Sequence, residues 1–140
     1  MHKNFTHKVK IYYEDTDAGG IVYYANYLNF LERARTEAIT SLGLSNKKIK
    51  EIFDAHIIVK SCNIQYKISA HLEEELDIRS FIKSVTKTSF LMKQIITRVN
   101  DVIAEAETHL VFINNSGKPI KIPDVLLKGF KPYFCDSIKG

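Results

Sequence analysis

The stretch Tyr12-Tyr13-Glu14-Asp15-Thr16-Asp17-Ala18-Gly19-Gly20-Ile21-Val22-Tyr23-Tyr24-Ala25-Asn26-Tyr27 decides the fold, because the spacing of apolar residues changes across it. Before it, Val9, Ile11 and Tyr13 alternate with Lys8, Lys10 and Tyr12. A period of two predicts a strand with one buried face, Tyr13 included. From about Tyr23 onward, Tyr24, Tyr27, Leu28, Leu31, Ala34, Ala38 and Leu42 recur at steps of three and four. That spacing predicts one apolar stripe on a long helix, with Glu32, Arg33, Arg35, Thr36 and Glu37 mostly off it. The acids and glycines from Glu14 to Gly20 fit neither period and read as a loop.

Downstream, Gly43 is placed to end the helix in a left-handed conformation, and Ser45 to cap a short helix running through Phe53. Alternation then predicts strands over Ile58–Ile68, around Leu76–Ile82, over Phe90–Val99 and over Ala104–Phe112. Asn114-Asn115-Ser116-Gly117 reads as a turn, followed by a short strand near Ile120 and a helical turn from Pro123-Asp124. One strand, one long helix and a run of strands make an α+β pattern, without alternating β-α-β units. The order and length suit a hotdog architecture, a sheet wrapped around a central helix. Periodicity by itself leaves other α+β folds open.

The 140 residues fit one domain, residues 1–140, with no linker or internal repeat. No apolar run approaches the roughly 18–20 residues of a spanning helix. Met1-His2-Lys3-Asn4-Phe5 lacks the apolar core of a signal peptide, which predicts a cytoplasmic protein. Cys62 and Cys135 form no Cys-x-x-Cys pair and the five histidines have no ligand spacing, so neither a disulfide scaffold nor a metal is expected. The net charge of +4 suits an anionic partner, but the lysines are dispersed, and no basic stripe with interleaved aromatics predicts nucleic-acid binding.

The chemistry-bearing residues lie in the opening stretch. A helix N-terminus presents unpaired N–H groups and partial positive charge, suited to the oxyanion that builds during thioester cleavage. Gly19 and Gly20 leave room for a substrate carbonyl to approach the backbone. A carboxylate just upstream can attack that carbonyl or deprotonate a water. The same residues serve a calcium loop poorly, since Asn26 stands where the bidentate glutamate belongs. An Asp-x-Asp phosphatase would need alternating helices and strands downstream. An acidic turn that merely caps the helix remains the non-functional alternative.

Tyr13 to Tyr23, with Asn26-Tyr27 and Glu32-Arg33-Ala34-Arg35-Thr36-Glu37, resembles the signature of the 4-hydroxybenzoyl-CoA thioesterase family, most of all its YbgC-like, Tol-Pal-associated branch. Ile64-Gln65-Tyr66 and Thr88-Ser89-Phe90 extend the resemblance more weakly. It implies a hotdog acyl-CoA thioesterase, homodimeric or homotetrameric, with its site at a subunit interface and no cofactor. Asp17 matches the catalytic aspartate, and the Tyr24 backbone N–H the carbonyl-polarising donor. Tyr13 matches a tyrosine proposed to assist catalysis, although its strand position favours a core or pocket role. Gly19, Gly20 and Asn26 are the expected substrate-binding positions. Tyr24 stands where the YbgC-like branch usually has histidine, and Ser69 where proline is usual. Glu32 corresponds to a helical glutamate that is catalytic in another hotdog branch. It lies about 12 Å beyond Tyr24 at 1.5 Å per residue, so pairing with Arg35 is expected instead. An acyl-carrier-protein thioesterase and a non-catalytic acyl-binding or scaffolding protein remain the alternatives.

Overall fold

The computed structural model describes residues 3–135; Met1, His2 and residues 136–140 lie outside the described residues. Chain order is β1 (Phe5–Lys10), a 3-10 turn (Tyr13–Asp15), α1 (Asn26–Ser41), α2 (Asn46–Phe53), β2 (Ala55–Tyr66), β3 (Glu75–Val85), β4 (Ser89–Arg98), β5 (Asp101–Asn114) and α3 (Asp124–Phe130). The strands form one antiparallel sheet in the order β1-β3-β4-β5-β2, so β1 and β2 are its edges. The expected α+β class holds.

The apolar stripe of α1 packs on one sheet face. Tyr27, Phe30, Leu31 and Ala34 meet Leu76, Ile78, Ile96 and Ala104 in a first core. Farther along, Ile39 joins Ile82, Phe90, Met92, Phe112 and residues of α2 and α3 in a second. Between the two cores the inward-facing strand positions turn polar. Ser80 of β3 lies opposite Gln94 of β4, and Thr108 of β5 opposite Cys62 of β2. Ser80, Gln94 and Thr108 are buried. Gln94 satisfies its amide by donating to the Leu31 carbonyl at 3.1 Å and to Ser80 Oγ at 3.0 Å. A buried amide without partners would cost a few kcal/mol, so this belt pins the middle of α1 to the sheet.

Several local expectations hold. Ser45 Oγ accepts from Lys48 N at 3.1 Å, and Gly43 ends the long helix at φ +99°. Three change. The first strand is Phe5–Lys10, and its ladder stops short of Tyr13, which lies in the 3-10 turn and is 80% exposed. The long helix begins at Asn26 instead of about Tyr23. Near Ile120 there is a backbone hydrogen bond to Phe112 and an isolated bridge at Pro119, but no named strand among the described residues.

Candidate active site

The loop after the 3-10 turn closes on itself. Thr16 bridges Val22, Asp17 N donates to Ile21 O at 2.9 Å, and Gly20 N donates to Asp17 O at 3.1 Å. Gly20 sits at φ +81°, a conformation that disfavours any Cβ. The turn thereby presents Asp17 at its start, exposed on this chain. Asp17 Oδ1 accepts from Gly19 N at 2.8 Å, while Oδ2 makes no hydrogen bond among the described residues. Gly19 therefore spends its N–H on the carboxylate and does not offer it to a ligand.

Asp15 anchors the loop from beneath. It is buried, and its Oδ2 accepts from Tyr12 N at 2.9 Å. Its carbonyl accepts from Tyr23 N at 3.0 Å and from Asn26 Nδ2 at 2.9 Å. Asn26 thus ties the start of α1 to the acidic loop, with its side-chain amide already engaged.

The helix opening is uncapped. Asn26 N, Tyr27 N and Leu28 N donate to the carbonyls of Tyr23, Tyr24 and Ala25. The amides of Tyr24 and Ala25 make no hydrogen bond among the described residues, and no side chain caps the helix. Those amides, with the partial positive charge of a sixteen-residue helix behind them, are chemically able to stabilise a negatively charged oxygen. The Tyr24 ring is exposed and packs edge-on to Tyr66 at 6.0 Å between centroids.

A second loop, leading out of β2, braces the first. Val22 N donates to Ala70 O at 2.9 Å, Leu72 N to Gly20 O at 3.2 Å, and Ala70 N to Tyr27 Oη at 3.0 Å. Burial pushes the Tyr27 phenol up from its ordinary value, consistent with a neutral hydroxyl kept as a structural acceptor. Glu74 closes this brace by accepting from His71 N at 2.8 Å and from Arg98 Nη1 at 2.9 Å. Arg98 also donates to the carbonyl of Ser69, the position where proline was expected.

Of the sequence candidates, Asp17, Gly19, Gly20, Tyr24 and Asn26 fall within this loop-and-helix junction. Tyr13 lies at its outer edge, exposed. Glu32 does not pair with Arg35: Thr36 Oγ1 donates to Glu32 Oε2 at 2.6 Å, and no ion pair of Arg35 occurs among the described residues. Sequence reasoning read Asp15 as a loop or hydrogen-bonding residue, which it is, but missed Ala70 and Glu74 as supports, because main-chain acceptors and loop braces leave no periodic signal. Among the described residues, no cluster of His, Cys, Asp and Glu is arranged to hold a metal ion. Nor is any helix long and apolar enough to cross a membrane.

The model of the thioesterase-like superfamily matches residues 12–130. The chain belongs to the thioesterase-like superfamily. Among superfamily relatives, the acyl-CoA thioester hydrolase YbgC of Escherichia coli O157:H7 is 36% identical over 129 residues, covering 91% of this chain and 96% of the relative. The acyl-CoA thioesterase YbgC of Haemophilus influenzae is 31% identical over 131 residues, covering 93% and 96%. A probable thioesterase from Bartonella henselae superposes with a TM-score of 0.83 at 28% identity, covering 86% of this chain and 99% of that one. The superfamily match and this neighbour make the α+β fold a hotdog fold.

Proposed function

We propose that this protein hydrolyses acyl-CoA thioesters to a free carboxylic acid and coenzyme A. The observation that carries the proposal is the pairing of an exposed loop carboxylate, Asp17, with a helix opening whose Tyr24 and Ala25 amides are unpaired among the described residues. The thioester carbonyl oxygen is received by those amides, so the negative charge of the tetrahedral transition state develops against fixed dipoles. Asp17, oriented by the Gly19 N–H, uses its Oδ2 either to attack the carbonyl carbon or to take a proton from the attacking water. Coenzyme A leaves as the thiolate; when Asp17 attacks, water then hydrolyses the mixed anhydride to free the acid and the carboxylate, and when Asp17 acts as base, the water oxygen itself stays on the acid. Relatives named acyl-CoA thioesterases across nine-tenths of the chain support the same chemistry. Tyr13, exposed beside the loop, is assigned to shielding the bound ester and not to proton transfer.

The protein acts as a homodimer in this proposal. β2 is a twelve-residue edge strand with Ile58 and Val59 exposed, an edge that proteins rarely leave uncovered. The free thiols of Cys62 and Cys135 and a coenzyme A substrate both suit the reducing cytoplasm. Free-thiol release from a panel of short, medium and long acyl-CoA thioesters, with an acyl-carrier-protein thioester alongside, tests the activity. Turnover of at least one acyl-CoA is expected; release from none of them would overturn the proposal.

A further inference from the structure

The polar belt that splits the core has a charged member above it. Arg35, on the third turn of α1 and half-buried, donates from Nη1 to Gln94 Oε1 at 3.2 Å. That is its one side-chain hydrogen bond among the described residues, and no carboxylate lies within ion-pair distance. A guanidinium has five N–H donors and is costly to desolvate without an anion. Desolvation holds its pKa below the ordinary arginine value, with only partial compensation from Cys62 and Glu32.

Arg35 lines a cavity of about 100 Å³ between α1 and β2. The far wall is apolar, formed by Ile57, Val59, Met92 and Leu110. At about 30 Å³ per water-sized group, the cavity holds only a few heavy atoms, the size of a chain end. Glu32 shares the lining, but it is exposed to solvent and held by Thr36.

Two rulers give the distance from the Arg35 head group, at the edge of this cavity, to the reacting carbonyl. Along α1, Ala25 to Arg35 spans ten residues, roughly 15 Å at 1.5 Å per residue. Along β2, Tyr66, which packs against Tyr24, is four residues from Cys62, whose sulfur acts electrostatically on Arg35, roughly 13 Å. The arginine side chain leans back toward the helix N-terminus, which shortens the gap to about 10 Å. An extended chain of about eight carbons bridges it.

We propose that Arg35, held by Gln94 over the polar belt, binds a carboxylate at the far end of the acyl chain. The preferred substrates are then coenzyme A monothioesters of medium-length dicarboxylic acids. This inference rests on the thioesterase proposal for the same site and adds the substrate class. Gln94 is a positioning residue in it, because it touches Arg35 and not the substrate.

The test compares kcat/KM for suberoyl-CoA and octanoyl-CoA, which share chain length and differ at the far end. The wild-type ratio is expected to favour suberoyl-CoA by about tenfold or more, as a charge-assisted hydrogen bond supplies. Arg35→Met should bring the ratio to one or below, Arg35→Lys should retain part of it, and Gln94→Met should lower it. Each ratio is internal to one protein, so a folding defect that slows both substrates cancels. Inhibition of the wild type by free suberate, stronger than by octanoate, is the second readout and needs no variant. Octanoyl-CoA turnover with no suberoyl preference would overturn the specificity and leave thioester hydrolysis standing. Turnover of neither these nor any other acyl-CoA would overturn both.

Discussion

Asn26 Nδ2 donates to the Asp15 carbonyl at 2.9 Å, across eleven residues of chain, and so fixes the opening of α1 against the acidic loop. The reacting groups proposed above sit on the two sides of that hydrogen bond. Its strength as a stability term is modest, about 1 kcal/mol, because Asp15 O keeps the Tyr23 N–H when it is lost. Its geometric value is larger, since small displacements of catalytic groups cost rate steeply.

Asn26→Ala should therefore lower urea-unfolding stability by about 1 kcal/mol and kcat/KM by about tenfold or more. Asn26→Asp, which sets an acceptor against an acceptor, should do worse on both counts. Thiol-release kinetics beside urea titrations separate the two effects.

The neighbouring glycines should respond in opposite ways. A Cβ at Gly19 would lie 3.3 Å from Asp17 Oδ1, so the carboxylate must give way. Gly19→Ala is expected to cost activity by about tenfold while stability changes by less than about 0.5 kcal/mol. A Cβ at Gly20 meets nothing within 4 Å, but the backbone holds φ +81°. Gly20→Ala should therefore cost about 1 kcal/mol of stability through backbone strain alone.

The brace behind the loop gives a pH signature. Burial by itself would raise the Glu74 carboxyl, but hydrogen bonds from Arg98 and His71, together with their charges, outweigh it and hold the pKa below its ordinary value. A carboxylate depressed in the folded state contributes stability that is full above its unfolded pKa, about 4.3, and lost as pH falls through the folded value. The stability gap between wild type and Glu74→Gln should be present above about pH 4.5 and shrink as pH drops below it. Denaturant midpoints across that range check it; a gap that grows in acid would contradict the brace.

These supports mark the boundary of what the sequence made legible. The long helix and the central strands were readable because their buried residues recur at fixed intervals within one segment. Tyr13 was misplaced because its alternation with Val9 and Ile11 continues past Lys10, where the pairing of β1 with β3 ends. The helix start was read early because Tyr23 and Tyr24 extend the aromatic run into a turn that precedes the helix. The acidic loop was legible in type, as glycines and carboxylates between two periods, but its internal hydrogen bonds were not. The polar belt was invisible for a different reason. Gln94 bonds Ser80 and Leu31, which are 14 and 63 residues away, and its place among alternating apolar residues gives no hint of partners.

Asp17→Asn provides the most direct measurement. Asparagine keeps an oxygen for the Gly19 N–H and nearly the same shape, so melting temperature should hold while nucleophile and base are both removed. On the best acyl-CoA of the panel, kcat/KM should fall by about 10²- to 10⁴-fold. An Asp17→Asn protein that releases thiol within about threefold of wild type, with the fold intact, would contradict the assignment of the reaction to this carboxylate.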